Sequence, residues 1–239
     1  MKQYEAVIQT LEKLGGQATL AELYVEAVKI TDCTWGTKTP FASIRRIVQT
    51  RKEIFRVRPG LWALQSYKKQ LGLSEHERKS EKEVEQNHSF YQGMLVVIGN
   101  LRGLSTFVPN QDKNKIFVKE HLGELRTLQE IPKFSHDFLV KKSSTIDVIW
   151  FNNNQMPDSF FEVEYSTDMQ NSLLKFFDLQ DFNARMVIVS HESRRNELKS
   201  KLEFNALRDL KKRVNFLEYN MLVKQYEYEV IKTSYTFSV

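Results

Sequence analysis

The chain has 239 residues, 41% hydrophobic and 27% charged, enough for one large domain or two small ones, each with a core of its own. No run approaches the ~20 apolar residues of a membrane span, and Met1-Lys2-Gln3-Tyr4-Glu5 opens an amphipathic pattern rather than a signal peptide, so a cytoplasmic protein with no membrane partner is expected. The single cysteine, Cys33, excludes an internal disulfide and a cysteine-built zinc site, the five histidines are scattered, and the net charge of +5 suits a polyanionic partner without naming one.

Taken in order, Tyr4, Val7, Ile8, Leu11 and Leu14 recur at helical spacing until Gly15-Gly16 stops them. Thr19 opens a second helix carrying Leu20, Leu23, Tyr24, Ala27 and Val28, with Glu22 placed to complete a capping box. A polar break leads to Pro40, suited to a first helical turn, and a third helix with Phe41, Ile44, Ile47 and Val48 on one side. Residues 54–64 alternate around Pro59-Gly60 and predict a two-stranded wing. Residues 1–67 therefore form one domain, the polar stretch 68–87 a helical linker, and residues 88–239 a second domain.

The second domain begins with an apolar, helix-like run from His88 to Leu101. Leu104–Asn110, Thr145–Asn152, Ser159–Tyr165 and Met186–Ser190 have strand character, with a helix from Asp168 to Leu179 between the last two. A helix from Arg195 to Lys212, a strand at Val214–Glu218 and a final helix or strand complete an α/β domain with a mixed sheet flanked by helices.

Three helices and a wing are the order of a winged helix-turn-helix, whose third helix presents its exposed face to the major groove of double-stranded DNA. On that face stand Ser43, Arg45, Arg46, Gln49 and Arg51. Lys38 and Thr39 at the helix entry and Arg56 and Arg58 on the wing suit phosphates, while Arg and Gln suit base edges. The plain structural alternative is a solvated basic face. The Gly15-Gly16 break, the Thr37-Lys38-Thr39-Pro40-Phe41-Ala42-Ser43-Ile44-Arg45 entry and the Phe55…Gly60-Leu61-Trp62-Ala63-Leu64 wing resemble the HARE-HTH domain over residues 1–65. That family occurs in chromatin regulators and fused to restriction endonucleases, so the resemblance implies DNA recognition.

Chemistry concentrates in Ser144-Thr145-Ile146-Asp147-Val148-Ile149-Trp150 and Phe160-Phe161-Glu162-Val163-Glu164-Tyr165. Alternation along a strand puts Glu162 and Glu164 on one face, with Phe161, Val163 and Tyr165 directed into the core. Asp147, between Ile146 and Val148 on a neighbouring strand, would make a cluster of three carboxylates. Such a cluster is self-repelling unless a divalent cation binds, and hard oxygen donors favour Mg²⁺, which activates water against a phosphodiester. Paired carboxylates also serve glycoside hydrolysis, an alternative the winged-helix pattern disfavours.

The strand–loop–strand pattern resembles the PD-(D/E)XK nuclease superfamily over residues 88–220. The resemblance implies that Asp147 is the metal-binding aspartate and Glu162 the second acid. The superfamily's lysine falls at Glu164, a replacement some restriction enzymes of this fold also carry. Lys175 on the following helix is a candidate to supply the lysine, and Glu85 or Gln92 to complete the metal shell. The implied activity is a Mg²⁺-dependent, site-specific endodeoxyribonuclease of type II, acting as a homodimer on a symmetric site. The competing expectation is a DNA-binding regulator whose nuclease fold no longer cuts.

Overall fold

The computed structural model describes residues 1–72 and 81–236, and contacts divide the chain into two compact units, Met1–Arg78 with Glu227–Val239, and Lys79–Tyr226. The first unit runs α1 (Gln3–Lys13), β1 (Gln17–Thr19), α2 (Leu20–Glu26), α3 (Phe41–Thr50), β2 (Ile54–Arg58) and β3 (Leu61–Leu64). Left-handed backbone at Gly15 and Gly16 (φ +77° and +89°) ends the turn after α1, and a Cβ on Gly16 would lie 2.2 Å from the Tyr67 ring. The capping box on α2 forms as its residues suggest: the Glu22 N–H donates to Thr19 Oγ1 (3.2 Å) and the Thr19 N–H to Glu22 Oε2 (2.6 Å). Pro40 stands at the N-cap of α3 rather than inside its first turn.

The strands form an antiparallel sheet in the order β1-β3-β2, turning between β2 and β3 at Gly60, where φ is +87°. Strand β1 has no counterpart in the sequence pattern, because three residues are too few for alternation to register. Val7, Leu11, Leu23, Tyr24, Ile44, Val48, Ile54 and Leu64 close the core, and Ile231 packs against it.

The second unit opens with α4 (Glu81–Leu101), then β4 (Ser105–Phe107), β5 (Ile116–Phe117), β6 (Glu120–His121), α5 (Leu122–Leu125) and α6 (Asp137–Ser143). It continues with β7 (Val148–Phe151), β8 (Pro157–Glu164), α7 (Met169–Asp178), β9 (Arg185–Ser190), α8 (Arg195–Leu202), β10 (Val214–Glu218) and the start of α9 (Tyr219–Thr236), whose residues from Glu227 belong to the first unit. The main sheet has the order β10-β9-β8-β7-β4, in which β10, β9 and β8 are parallel while β7 and β4 run antiparallel to their neighbours. One face is packed by Leu173 and Phe176 of α7 and Leu198 and Leu202 of α8, over Ile149, Phe151 and Phe160. On α4, Gly99 lies against Trp150, whose indole N–H donates to the Leu95 carbonyl oxygen (3.0 Å).

Of the stretch 68–87, residues 73–80 lie outside the described residues, and positions from Glu81 form the start of α4. Two expectations are corrected. The helix expected over 195–212 breaks after Leu202, and Asn205–Lys212 continues as a 3-10 helix. Leu207 and Leu210, three apart and both buried, match that tighter period. Finally, β8 is buried on both faces, so Glu162 and Glu164 share their side with Phe160 and point toward α7. A central strand covered by helices on both sides loses the apolar–polar alternation on which the one-sided expectation rested.

Candidate active site

Residues Val148 and Phe161 are paired across β7 and β8, so continuing the register by one residue sets Asp147 opposite Glu162. The two are joined there. The Asp147 N–H donates to Glu162 Oε1 (3.2 Å), and the Val163 N–H donates to Asp147 Oδ2 (2.8 Å). From α7, Lys175 Nζ donates to both oxygens of Glu162 (3.0 and 2.8 Å) and to the Thr145 carbonyl oxygen (2.8 Å). The lysine that the sequence placed only as a candidate thus reaches Glu162 directly.

Electrostatics follow from burial. The Glu162 side chain is 3% exposed, and desolvation, reinforced by the Asp147 charge, pushes its carboxyl up to about 8 despite Lys175 and Ser172. Burial also acts on Asp147, but His88, Lys175 and the Val163 N–H overcome it and hold that carboxyl below the usual range. Burial works against the Lys175 charge, yet Glu162 and Asp147 keep the amine above its ordinary value. Lys175 is therefore a cation near neutrality, suited to stabilising negative charge rather than to taking a proton.

The third carboxylate lies one step away. Glu164 Oε1 accepts from the Ser172 hydroxyl and Glu164 Oε2 from the Thr167 hydroxyl, with Arg194 Nη1 at 3.9 Å. Ser172 Oγ is also 2.8 Å from Glu162 Oε2. A hydroxyl has one proton, so Ser172 satisfies both carboxyls when Glu162 carries a proton of its own, in keeping with its raised pKa. Among the described residues, no three His, Cys, Asp or Glu side chains are grouped to hold a metal ion. The three-carboxylate cluster therefore resolves into the pair Asp147–Glu162 and a separate Glu164 tied to polar side chains.

The first helix of this unit contributes a residue that sequence reasoning missed. His88 Nε2 lies 3.0 Å from Asp147 Oδ2, and its Nδ1 lies 3.1 Å from Gln92 Oε1. Burial opposes a charge on His88, but Asp147 and then Asp112 outweigh it and raise the imidazole above its ordinary range. The signal was the four-residue spacing of His88 and Gln92 on one helix face, legible only once Asp147 is known to face it. Of the two residues suggested to complete a metal shell, Gln92 is fully buried, while Glu85 approaches Lys115 at 3.7 Å. Glu85, His88, Lys115, Tyr165, Ser166 and Thr167, with Val84, line a cleft of about 270 Å³.

Comparison with known proteins gives one match: residues 70–234 fit the family model described as the type II restriction enzyme NmeDI C-terminal domain. The chain belongs to this family. Membership supports restriction endonuclease activity and DNA as the partner of this NmeDI-type chain. No curated protein and no solved structure matches it. No helix among the described residues is long and apolar enough to cross a membrane.

The NmeDI-type match begins at residue 70, leaving the residues expected to touch DNA in the first unit outside it. Lys38, Thr39, Arg45, Arg46, Gln49 and Arg56 are exposed, and Ser43, Arg51 and Arg58 half-buried. Arg45, Arg46 and Gln49 share the wall of a shallow cavity with Tyr24, Phe41 and Ile231. Arg51 is engaged by Tyr4, whose ring centroid is 3.7 Å from the guanidinium, and by Glu53 at 3.3 Å. Arg45 is held still more firmly: Nε donates to Tyr24 Oη (3.1 Å) and Nη2 to Glu227 Oε2 (2.9 Å). Burial and Glu227 push the Tyr24 phenol up to about 12, keeping it protonated.

Proposed function

We propose that the chain is a Mg²⁺-dependent, sequence-specific endodeoxyribonuclease that hydrolyses phosphodiester bonds in double-stranded DNA, a PD-(D/E)XK-like enzyme with an N-terminal winged-helix reader. The observation that carries this reading is the Asp147–Glu162 pair at facing strand ends with Lys175 donating to Glu162, in a chain of a restriction-enzyme family. The order α1-β1-α2-α3-β2-β3 supports the winged-helix assignment. The resemblance of residues 1–65 to HARE-HTH domains points the same way.

The residues present fit a hard divalent cation. Both acids offer oxygen donors, a cation would relieve the burial that raises Glu162, and Asp147 Oδ1 accepts no hydrogen bond among the described residues. Asp147 and Glu162 would hold the ion, with substrate phosphate and water supplying other ligands. Bound there, Mg²⁺ would acidify a water and offset charge on the phosphorane-like transition state. The chain's own contribution is to fix the two acids against each other through the Asp147 N–H and to hold the Lys175 ammonium beside them. On a symmetric site, two copies related by a twofold axis would cut the two strands.

A second reading, a non-cleaving DNA-binding regulator, is favoured by one feature, Glu164 at the place of the superfamily's lysine. Incubating the full chain with mixed plasmid and phage DNA in Mg²⁺ separates them. Discrete fragments that disappear with EDTA and in Asp147→Ala are expected; intact DNA with retained binding would establish the regulator.

A further inference from the structure

Helix α4 sends a buried chain of hydrogen bonds into the site, and no part of the proposed chemistry uses it. Gln92 is fully buried and Asp112 is 3% exposed. The Gln92 amide nitrogen donates to Asp112 Oδ2 (2.8 Å) and to the Asp147 carbonyl oxygen (3.1 Å), two partners that only accept. Those contacts fix the sense of the amide, so Gln92 Oε1 faces His88 Nδ1 at 3.1 Å and the ring nitrogen is the donor. The opposite ring nitrogen then meets Asp147 Oδ2 at 3.0 Å. At the far end Lys115 Nζ lies 2.8 Å from Asp112 Oδ1, closing the chain on a cation.

We propose that Gln92 and His88 are positioning residues for the carboxylate of Asp147. The relay grips that residue at two points, its backbone carbonyl through Gln92 and its Oδ2 through His88. Together with the Val163 N–H, it saturates Oδ2 and fixes the rotation of the carboxylate. Oδ1, which accepts no hydrogen bond among the described residues, is left for the cation. A need for packing alone would be met by an apolar side chain at position 92, whereas a buried amide with its polar atoms matched specifies one geometry. The inference rests on the nuclease reading, since it assigns Asp147 to the cation.

The test compares full-length wild type with His88→Phe, His88→Gln and Asp147→Ala. Mn²⁺ affinity is measured by calorimetry without DNA, cleavage under single-turnover conditions, and DNA affinity in EDTA. His88→Phe keeps the ring volume without nitrogen; it is expected to weaken Mn²⁺ binding and slow cleavage by about 10–100-fold with DNA affinity unchanged. His88→Gln carries an amide donor on a chain long enough to approach Asp147, and should recover most of the loss. Mn²⁺ affinity within threefold of wild type in the Phe variant overturns the proposal. So does a Gln variant as weak as Phe, which would make the imidazole a direct ligand. If the Phe variant does not fold, His88→Asn, polar but too short to reach Asp147, is read in its place. Wild-type Mn²⁺ affinity in Asp147→Ala removes the carboxylate assignment itself, and the relay's role falls with it.

Discussion

Replacing Lys175 by Met separates a structural lysine from a working one. Its ammonium makes three hydrogen bonds, two to Glu162 and one to Thr145. Breaking a buried ion pair from one side costs about 3–5 kcal/mol when the orphaned charge must stay. Glu162 escapes most of that cost: with its pKa raised to about 8, it already carries a proton in most molecules at neutral pH and leaves little unpaired charge behind. Lys175 is also 32% exposed, so solvent screens part of what is lost. The net loss of stability should therefore be only about 1–2 kcal/mol, at or below the ~1.5–3 kcal/mol of a hydrogen bond to a charged group once screening is counted. Catalysis has no such escape, because the transition state gains negative charge where the ammonium stood. Losing one preorganised donor typically costs about 10²–10³ in rate. Thermal unfolding and single-turnover cleavage, measured on the same Lys175→Met preparation, should thus diverge. Cleavage within threefold of wild type, with Asp147→Ala inactive, would refute the role assigned to Lys175.

Because burial raises Glu162, the unfolded chain releases that proton earlier than the folded one. The metal-free protein's stability from this group is complete below pH 4.5, falls as pH rises toward about 8, and is flat above it. Mn²⁺ binds the ionised carboxyl, so its affinity should rise between pH 6 and 8 by up to about tenfold per unit, since one proton is displaced; calorimetry showing no pH dependence, or the same dependence in Glu162→Gln, would contradict this. Glu227→Gln should loosen Arg45, whose Nη2 lies 2.9 Å from that carboxylate. Freed toward phosphate, Arg45 should tighten DNA binding in EDTA and steepen the salt dependence by up to about one unit of slope. Unchanged affinity and slope in fluorescence anisotropy would mean that Arg45 does not meet DNA.

What the sequence made legible is what has a short-range signature. The Thr19–Glu22 cap, the Gly15-Gly16 stop and the hairpin around Gly60 are set by neighbours within a few residues and stand where expected. Strands β7, β8 and β9 follow from their apolar runs, and helix α7 from the spacing of Leu173 and Phe176. The lost information is long-range. Nothing local pairs Asp147 with His88, 59 residues away, or Arg45 with Glu227, 182 away. The partner of Arg45 was missed for the same reason: Arg45 is exposed on the outer side of α3, as periodicity says, but Glu227 lies beyond the reach of any helical pattern. Residues 159–164 read as one-sided because alternation reports a single buried face, whereas a strand between two helical layers has two.

The same distinction bears on Glu164. Read along the strand, a Glu where the lysine should be suggests a retired site, and the obvious repair would be Glu164→Lys. The structure argues that this repair fails. Glu164 is 5% exposed and accepts hydrogen bonds from the Ser172 and Thr167 hydroxyls, with Arg194 Nη1 3.9 Å away. A lysine there would lose both bonds and bring a second cation toward Arg194, whose Nη1 is itself buried without a hydrogen bond. Lys175 lies one turn beyond Ser172 on α7, and both reach Glu162, so the helix already supplies a cation to that carboxyl. Transition-state charge responds to where an ammonium sits and not to which element carries it. Lys175→Met combined with Glu164→Lys should therefore cleave no faster than Lys175→Met alone and should melt at a lower temperature than that single variant. Recovery of cleavage to within tenfold of wild type would show that position 164 does open onto the reacting phosphate.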